Sequence, residues 1–273
     1  MNHHLTETRF KDFDLDPSII KGLDEAGFEF CTPIQAQSIP IALTGKDIAG
    51  EAQTGTGKTA AFMVACLDHL LKTPAHEQRQ KADIRTMILA PTRELAIQIH
   101  KDACVIGKYT GLSFGLAYGG TDYDKQRRIL EDGIDILIGT PGRTIDFFKQ
   151  RVFSLKKCEV VILDEADRMF DLGFIDDMRY LLRRCPDPDK RLSLLFSATL
   201  SHRVGELAYV HMNDPAEIRV EAETKTADKI EQSIYYPANE EKIPLLLGLM
   251  EKLKPTRSIV FINTKRVADK VYA

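Results

Sequence analysis

Ala52-Gln53-Thr54-Gly55-Thr56-Gly57-Lys58-Thr59 decides how this 273-residue chain is read. The stretch follows a short apolar segment, Asp47-Ile48-Ala49-Gly50, and precedes a helical pattern from Thr59 to Leu71. A strand, a glycine-rich turn and a helix in that order make a phosphate-binding loop. Gly55 and Gly57 let the backbone turn sharply and aim several N–H groups at one anion. Lys58 reaches the outer phosphates as a point charge. Thr59 opens the helix, so its hydroxyl can take a magnesium ion while the helix N-terminus favours phosphate. Ala52 stands where the pattern G-x-x-x-x-G-K-[ST] begins with glycine, and alanine keeps the turn if that residue has φ below zero. In isolation the stretch would also suit a Gly/Thr-rich surface turn; the flanking strand and helix argue for the loop.

Outward from the loop, apolar runs rich in β-branched residues alternate with helical patterns. Runs of this kind read as parallel strands buried on both faces. They cover Thr86–Ala90, Phe114–Tyr118, Asp135–Gly139, Val160–Leu163, Leu192–Phe196 and Glu217–Val220. Helical periodicity falls between them at Glu94–Gly107, Asp122–Glu131, Gly142–Gln150, Phe174–Arg183 and His202–His211. Upstream, Asp16-Pro17-Ser18 starts a helix that Gly27 ends, and a second helix runs to about Leu43. The polar stretch Lys72–Asp83 reads as an exposed loop. The pattern predicts an α/β fold with a doubly wound, mostly parallel sheet and right-handed crossovers.

Six polar clusters sit directly after predicted strands. They are Gln53–Thr59, Pro91-Thr92-Arg93-Glu94, Gly119-Gly120, Thr140-Pro141-Gly142-Arg143, Asp164-Glu165-Ala166-Asp167 and Ser197-Ala198-Thr199. The carboxyl ends of the strands form the ligand edge of an open α/β sheet, so six clusters there exceed what turn chemistry alone requires. Asp164, ending an apolar strand, suits a carboxylate that holds magnesium opposite Thr59. Glu165 then lies where it can orient or deprotonate an attacking water. Acids capping the next helix are the plainer reading, and it fits Asp167 best. Ser197 and Thr199 supply hydroxyls and no strong base, so hydrogen bonding to the acidic cluster is their expected part. Thr92-Arg93 and Thr140–Arg143 open helices with free N–H groups, a hydroxyl and a guanidinium, a set that suits phosphodiester oxygens. Singly, each would be a solvated helix start. No aromatic platform is evident beside these clusters, so backbone contacts of low sequence specificity are expected.

Composition narrows the class less than the motifs do. The apolar fraction of 44% is ordinary for a globular chain, and the net charge of −3 gives no bulk attraction to nucleic acid or an anionic membrane. Any nucleic-acid footprint must be local. Five cysteines without a C-x-x-C pair read as reduced thiols of a cytoplasmic protein. No signal peptide and no bilayer-length apolar run is seen.

Taken in order, Ala-x-Thr-Gly-x-Gly-Lys-Thr at 52–59, Pro-Thr-Arg-Glu-Leu-Ala at 91–96, Thr-Pro-Gly-Arg at 140–143, Asp-Glu-Ala-Asp at 164–167 and Ser-Ala-Thr at 197–199 resemble the motifs of DEAD-box RNA helicases. Gly27-Phe28 through Thr32-Pro33-Ile34-Gln35 is similar to that family's adenine-recognition motif, with Phe10 at the spacing of its upstream aromatic. Alanine at position 52 is the family's own residue. Longer stretches, among them Cys31–Gln35 and Tyr123–Gln126, resemble bacterial members associated with the RNA degradosome.

The resemblance implies a RecA-like domain of the P-loop NTPase type, using ATP and Mg2+ to act on RNA. Gln35 would read the adenine and Phe10 would stack on it, while Ala52, Gln53, Thr54, Gly55, Thr56, Gly57, Lys58 and Thr59 would hold phosphates and magnesium. Asp164 and Glu165, with Lys58, would serve hydrolysis, and Asp167, Ser197, Ala198 and Thr199 would couple it to strand separation. Pro91, Thr92, Arg93, Gly119, Gly120, Thr140, Pro141, Gly142 and Arg143 would grip one RNA strand.

The expected division is an N-terminal segment at 1–38, a RecA-like domain at 39–221, a linker at 222–229 and the first elements of a second RecA-like domain at 230–273. That last part is expected to hold a strand at Ile230–Tyr236, a helix at Glu240–Leu253 and a strand at Ser258–Asn263. About fifty residues is short of the roughly 100–150 of an independent domain. The later family motifs, with arginines that reach the γ-phosphate, have no counterpart, so the expectation is nucleotide binding with weak hydrolysis and no unwinding by this stretch alone. Two other readings stay open: a non-catalytic, ATP-gated RNA-binding module, and a DNA translocase of the same superfamily.

Overall fold

The computed structural model describes residues 5–120, 122–220, 231 and 233–272. They fall into two compact units, divided after Glu223. In the first unit the elements run in chain order as α1 (Pro17–Glu25), α2 (Pro33–Ala42), β1 (Ile48–Glu51), α3 (Lys58–Lys72), β2 (Thr86–Leu89), α4 (Arg93–Ile106), β3 (Phe114–Ala117), α5 (Tyr123–Glu131), β4 (Ile136–Gly139), α6 (Pro141–Lys149), β5 (Val160–Leu163), α7 (Ala166–Asp171), α8 (Ile175–Leu182), β6 (Leu192–Ser197), α9 (His202–His211) and β7 (Ala216–Arg219).

Among the described residues the strands form one seven-stranded sheet in the order β3-β4-β2-β5-β6-β1-β7. Every pairing is parallel, with registers such as Ile48 opposite Leu194 and Thr86 opposite both Ile136 and Val160. Successive side chains of a strand point to opposite faces, and here both faces are covered. Ile88, Ile136, Ile138, Val160, Ile162, Leu192, Leu194 and Phe196 join one core with Phe62 and Ile34. Met87, Leu89, Leu137, Val161, Leu163 and Leu195 join the other with Phe147 and Met178. The sequence therefore shows unbroken apolar runs instead of alternation. Each such side chain, once fully buried, contributes about 1.5–3 kcal/mol.

The segment before the phosphate loop belongs to the same unit. Phe10, Ile19, Leu23 and Ile34 are buried in the core that holds Phe62. Asp16 caps α1 as the sequence suggested, accepting from the Ser18 amide at 2.8 Å. α7 has no counterpart in the periodicity reading; it is six residues long, too short to show an apolar stripe.

The second unit, taken by itself, holds a 3-10 turn at Asn239–Glu241, α10 (Lys242–Leu253) and α11 (Lys265–Tyr272). α10 matches the expected helix. The strand expected at Ser258–Asn263 is not formed, and residues 231 and 233–236 of the other are not in a strand. A strand is defined by neighbours that take its N–H and C=O groups, and none pairs with these residues among those described. Ile259 and Phe261 stay exposed. The expected linker at 222–229, and residues 230 and 232, lie outside the described residues.

Candidate active site

The sheet order sorts the six strand-end clusters into two groups of three. β5, β6 and β1 are neighbours, so Asp164-Glu165, Ser197–Thr199 and the phosphate loop lie side by side. β3, β4 and β2 are the other neighbours, and they bring Gly119-Gly120, Thr140–Arg143 and Pro91–Arg93 together.

In the phosphate loop Gly55 and Gly57 have φ of 84° and 89°. Gly57 is required twice over. Its φ disfavours any other residue, and a Cβ there would lie 2.4 Å from Gln35 Nε2. That closeness reflects a clamp: Gln35 is buried, its Nε2 donates to the Gly57 carbonyl at 2.9 Å, and its Oε1 accepts from the Thr32 amide at 2.8 Å. Gln35 thereby ties the Thr32 loop to the phosphate loop. Its amide retains a second donor and a second lone pair, and the buried Thr32 hydroxyl beside it has no partner among the described residues. Gln53, Thr54 and Gly55 are exposed, with Thr56 Oγ1 donating to the Gln53 carbonyl at 2.7 Å. Lys58 is buried and its ammonium donates to the Ala52 carbonyl at 2.9 Å. Thr59, in the first turn of α3, is half-buried.

Phe10 is placed differently from a free stacking platform. It is only 2% exposed and packs edge-on against Phe28, ring centroids 6.0 Å apart. With Phe28, Lys11 and Gly27 it lines a cavity of about 350 Å³. In this conformation the ring forms part of a wall, because the core it belongs to already covers its faces.

Asp164 ends β5 and is buried. Burial pushes its carboxyl up to about 6; the nearby Lys58 ammonium pulls the other way and the Glu165 carboxylate adds to the rise. Its Oδ1 accepts from the Glu165 amide at 3.0 Å. Glu165 itself sits in the left-handed region, φ 52° and ψ 52°, a conformation that disfavours side chains and is held here by the strand before it and α7 after it. Thr54 Oγ1 donates to Glu165 Oε1 at 3.3 Å, and Arg168 Nη1 lies 3.4 Å from its Oε2. Neither Thr54 nor Arg168 stands out in sequence as a partner of Glu165.

The third cluster joins the other two. The Ala52 amide donates to the Ser197 carbonyl at 3.0 Å. Ser197 is fully buried; its Oγ accepts from the Asp167 amide at 3.2 Å and donates to the Thr199 carbonyl at 2.8 Å. Thr199 Oγ1 donates to Asp167 Oδ2 at 3.4 Å. Ala198, between them, is half-buried. Asp167 is therefore more than a helix-start acid: one continuous chain of hydrogen bonds runs from the phosphate loop through β6 into α7.

In the second group Thr92 caps α4 by accepting from the Leu95 amide at 3.3 Å. Pro91 is buried, and exposed Arg93 pairs with Glu94 at 3.3 Å. Arg93 also reaches Gly120, where an added Cβ would lie 2.8 Å from its Nη1. The Thr140 amide donates to the Ala117 carbonyl at 2.9 Å, Pro141 occupies the first turn of α6, and Gly119 and Gly142 face open space. The Arg143 guanidinium lies over the Tyr123 ring at 4.7 Å and near Phe147 at 5.4 Å. Its Nη1 is buried and has no partner among the described residues. An aromatic does lie beside this cluster, but as a support: the Tyr123 ring carries Arg143. It stands 20 residues before Arg143 in the chain, and only the β3–β4 pairing brings α5 and α6 to the same corner.

The sequence matches the DEAD/DEAH box helicase family over residues 32–207. It is 56% identical over 270 residues to a Vibrio vulnificus protein named ATP-dependent RNA helicase RhlB, covering 99% of this chain and 62% of that one. A Xanthomonas oryzae protein of the same name is 58% identical over 268 residues, 98% of this chain and 47% of the relative. The chain thus spans about half to three-fifths of the length of these curated relatives. A family profile matched over more than half of the chain, and relatives at 56–58% identity over nearly every residue, establish that this chain belongs to the DEAD/DEAH box helicase family.

Proposed function

We propose that the chain supplies the ATP-binding part of an ATP-dependent RNA helicase. The observation that carries this reading is the linked triplet on β1, β5 and β6: the Lys58 loop, the buried Asp164 beside Glu165, and the Ser197–Asp167–Thr199 hydrogen bonds. Backbone N–H groups of residues 53–59 would cradle the phosphates, and Lys58 would exchange the Ala52 carbonyl for a phosphate oxygen. Gln35 and the Phe10–Phe28 wall would receive the adenine.

Thr59 and Asp164 fit a hard divalent cation. They supply a hydroxyl and one carboxylate, and no group of three or more metal-type side chains is found among the described residues. Mg2+ keeps waters and phosphate oxygens in its shell, so this small set suits it. When bound there it supplies charge neutralisation at the β- and γ-phosphates. Glu165 would hold the attacking water and receive its proton. A change at the phosphates would pass through Ala52 and Ser197 into Asp167 and Thr199.

Arg93, Gly119-Gly120 and Thr140–Arg143, gathered by β2, β3 and β4, would carry one RNA strand, mainly by its phosphates. The Arg143 Nη1, buried and without a partner among the described residues, would become such a donor only on a local shift of the side chain. No described helix is long and apolar enough to cross a membrane. Action in the cytoplasm and attachment to an RNA-degrading assembly are extensions of this reading, to be tested by co-purification with such an assembly.

The test is ATP turnover with and without single-stranded RNA, measured on this chain and on the full-length protein. RNA-stimulated turnover that DNA does not reproduce supports the proposal. Lys58→Ala is expected to abolish nucleotide binding. Equal stimulation by DNA, or turnover that survives Lys58→Ala, overturns it.

A further inference from the structure

The amino-terminal edge of the sheet, remote from the strand-end clusters, carries a cleft of about 900 Å³ built by the loops that lead into β2 and β5. Its floor is firm. Asp83 and Ser154 form a parallel bridge, with Ile84 N donating to the Ser154 carbonyl and Ser154 N to the Ala82 carbonyl at 3.2 and 2.7 Å. Four cations line it: Arg151, Lys156, Lys157 and Arg184. The one acid in the lining, Asp83, is buried and already accepts from the Gln80 amide. No carboxylate lies within ion-pairing distance of any of the four among the described residues, whereas Lys and Arg elsewhere on this unit pair repeatedly. Lys157 has the His76 imidazole at 2.9 Å, and Arg184 the Tyr180 carbonyl at 2.7 Å. A chain of net charge −3 thus concentrates positive charge in one concavity.

Arg151 gives the second, independent observation. It follows α6 at φ 60°, in the left-handed position of a helix-ending motif: its amide donates to the Phe148 carbonyl and the Val152 amide to Phe147. The same motif ends α1 and α7, and there the residue is glycine, Gly27 and Gly173. Glycine is the unstrained choice, so an arginine at this position is disfavoured by the local backbone. Its guanidinium has no hydrogen bond among the described residues to offset that strain. A ligand in the cleft would.

We propose that this cleft binds an acidic peptide segment of a partner protein, with its carboxylates on Arg151, Lys156, Lys157 and Arg184. Single-stranded RNA fits less well, because base stacking needs a free ring face. Tyr180 is covered by Arg184 at 3.3 Å and by Lys149 at 5.4 Å, and Phe148 packs on Phe153 and Tyr180. Phe153 and Leu155 lie beneath the cleft as buried core residues, so its accessible lining residues are mainly polar and cationic.

The experiment titrates the chain with a fluorescein-labelled peptide of alternating glutamate and leucine, followed by anisotropy. Controls are the same peptide with glutamine for glutamate, and a single-stranded oligoadenylate. Saturable binding of the glutamate peptide is expected, weakened about tenfold by Arg151→Gly or Lys156→Glu. Arg151→Gly should not lower the thermal midpoint, because it removes the backbone strain. Equal binding of the glutamine peptide, or unchanged affinity in Arg151→Gly, overturns the proposal. So does oligoadenylate binding that Arg151→Gly weakens while the acidic peptide fails to bind.

Discussion

The two ends of the sheet use the same residue types and leave them in opposite states. At the amino-terminal edge three buried charges are well engaged, although the Nε2 of buried His211 has no partner among the described residues. Arg85 forks onto both oxygens of Glu159 at 2.6 and 2.8 Å and donates to the carbonyls of Leu70 and Thr73. Arg191 donates to the carbonyls of Leu182, Pro186 and His211. Asp47 accepts from the amides of Ser193 and Asn213, both at 2.7 Å. At the carboxyl-terminal edge several side-chain bonds are longer or missing. Among the described residues Glu165 is met only at 3.3 and 3.4 Å, Asp167 and Thr199 at 3.4 Å, and the Arg143 Nη1 and Thr32 Oγ1 have no partner. Burying a polar group unpaired costs about 1–3 kcal/mol. Groups left open at the carboxyl-terminal edge are the ones a bound nucleotide or RNA would satisfy.

Substitutions that affect only one edge test this contrast. Glu165→Gln should lower ATP turnover by about 10²–10⁴-fold, with nucleotide binding and the urea midpoint unchanged. Turnover at the wild-type rate would remove Glu165 from the chemistry. Arg85→Ala should do the reverse, losing about 3–5 kcal/mol of stability as it strands Glu159. A urea titration showing less than about 1 kcal/mol would put the Arg85 pair among the weak surface ion pairs.

Gly57→Ala sits between the two classes. It should cost about 1–2 kcal/mol through the left-handed backbone and also weaken nucleotide affinity, because its Cβ displaces Gln35. Isothermal titration would separate the effects, and unchanged affinity would mean that the Gln35 clamp is dispensable.

The smallest effect is expected at Asp135. Burial alone would raise its carboxyl, but hydrogen bonds from Ser113 N and Oγ and the Arg79 guanidinium outweigh it and leave it low. A depressed carboxyl adds stability above its unfolded value of about 3.9, and that stability is lost as pH falls through the folded value. Asp135→Asn should therefore flatten the acid limb of a urea-midpoint profile below about pH 4. A parallel shift at every pH would show that the carboxylate charge is not the cause.

Much of the fold could be read from residue order. The observed strands lie within a residue or two of their predicted bounds, because a sheet covered on both faces demands unbroken apolar runs such as Val160–Leu163. The strand-end clusters were legible too, since glycine, threonine and acid interrupt those runs abruptly. Three things were not. The tail's predicted strand at Ser258–Asn263 has the right composition, but pairing depends on neighbours outside the local stretch. α7 was hidden by its length. Tyr123 gave no sign of supporting Arg143, because nothing local links them.

The sequence by itself determined the phosphate loop, the parallel α/β class and the candidate residues for the chemistry, since each depends on local backbone freedom, side-chain period or residue type. Only the tertiary structure decided which clusters cooperate. The order β5-β6-β1 makes one triplet of Lys58, Asp164 and Ser197, and β3-β4-β2 another around Arg143. Burial then set the state of each group: it raises Asp164 while Lys58 opposes the rise, and it closes Phe10 into a wall. Those outcomes depend on long-range neighbours and on the exclusion of water, and neither is written in any short stretch of the chain.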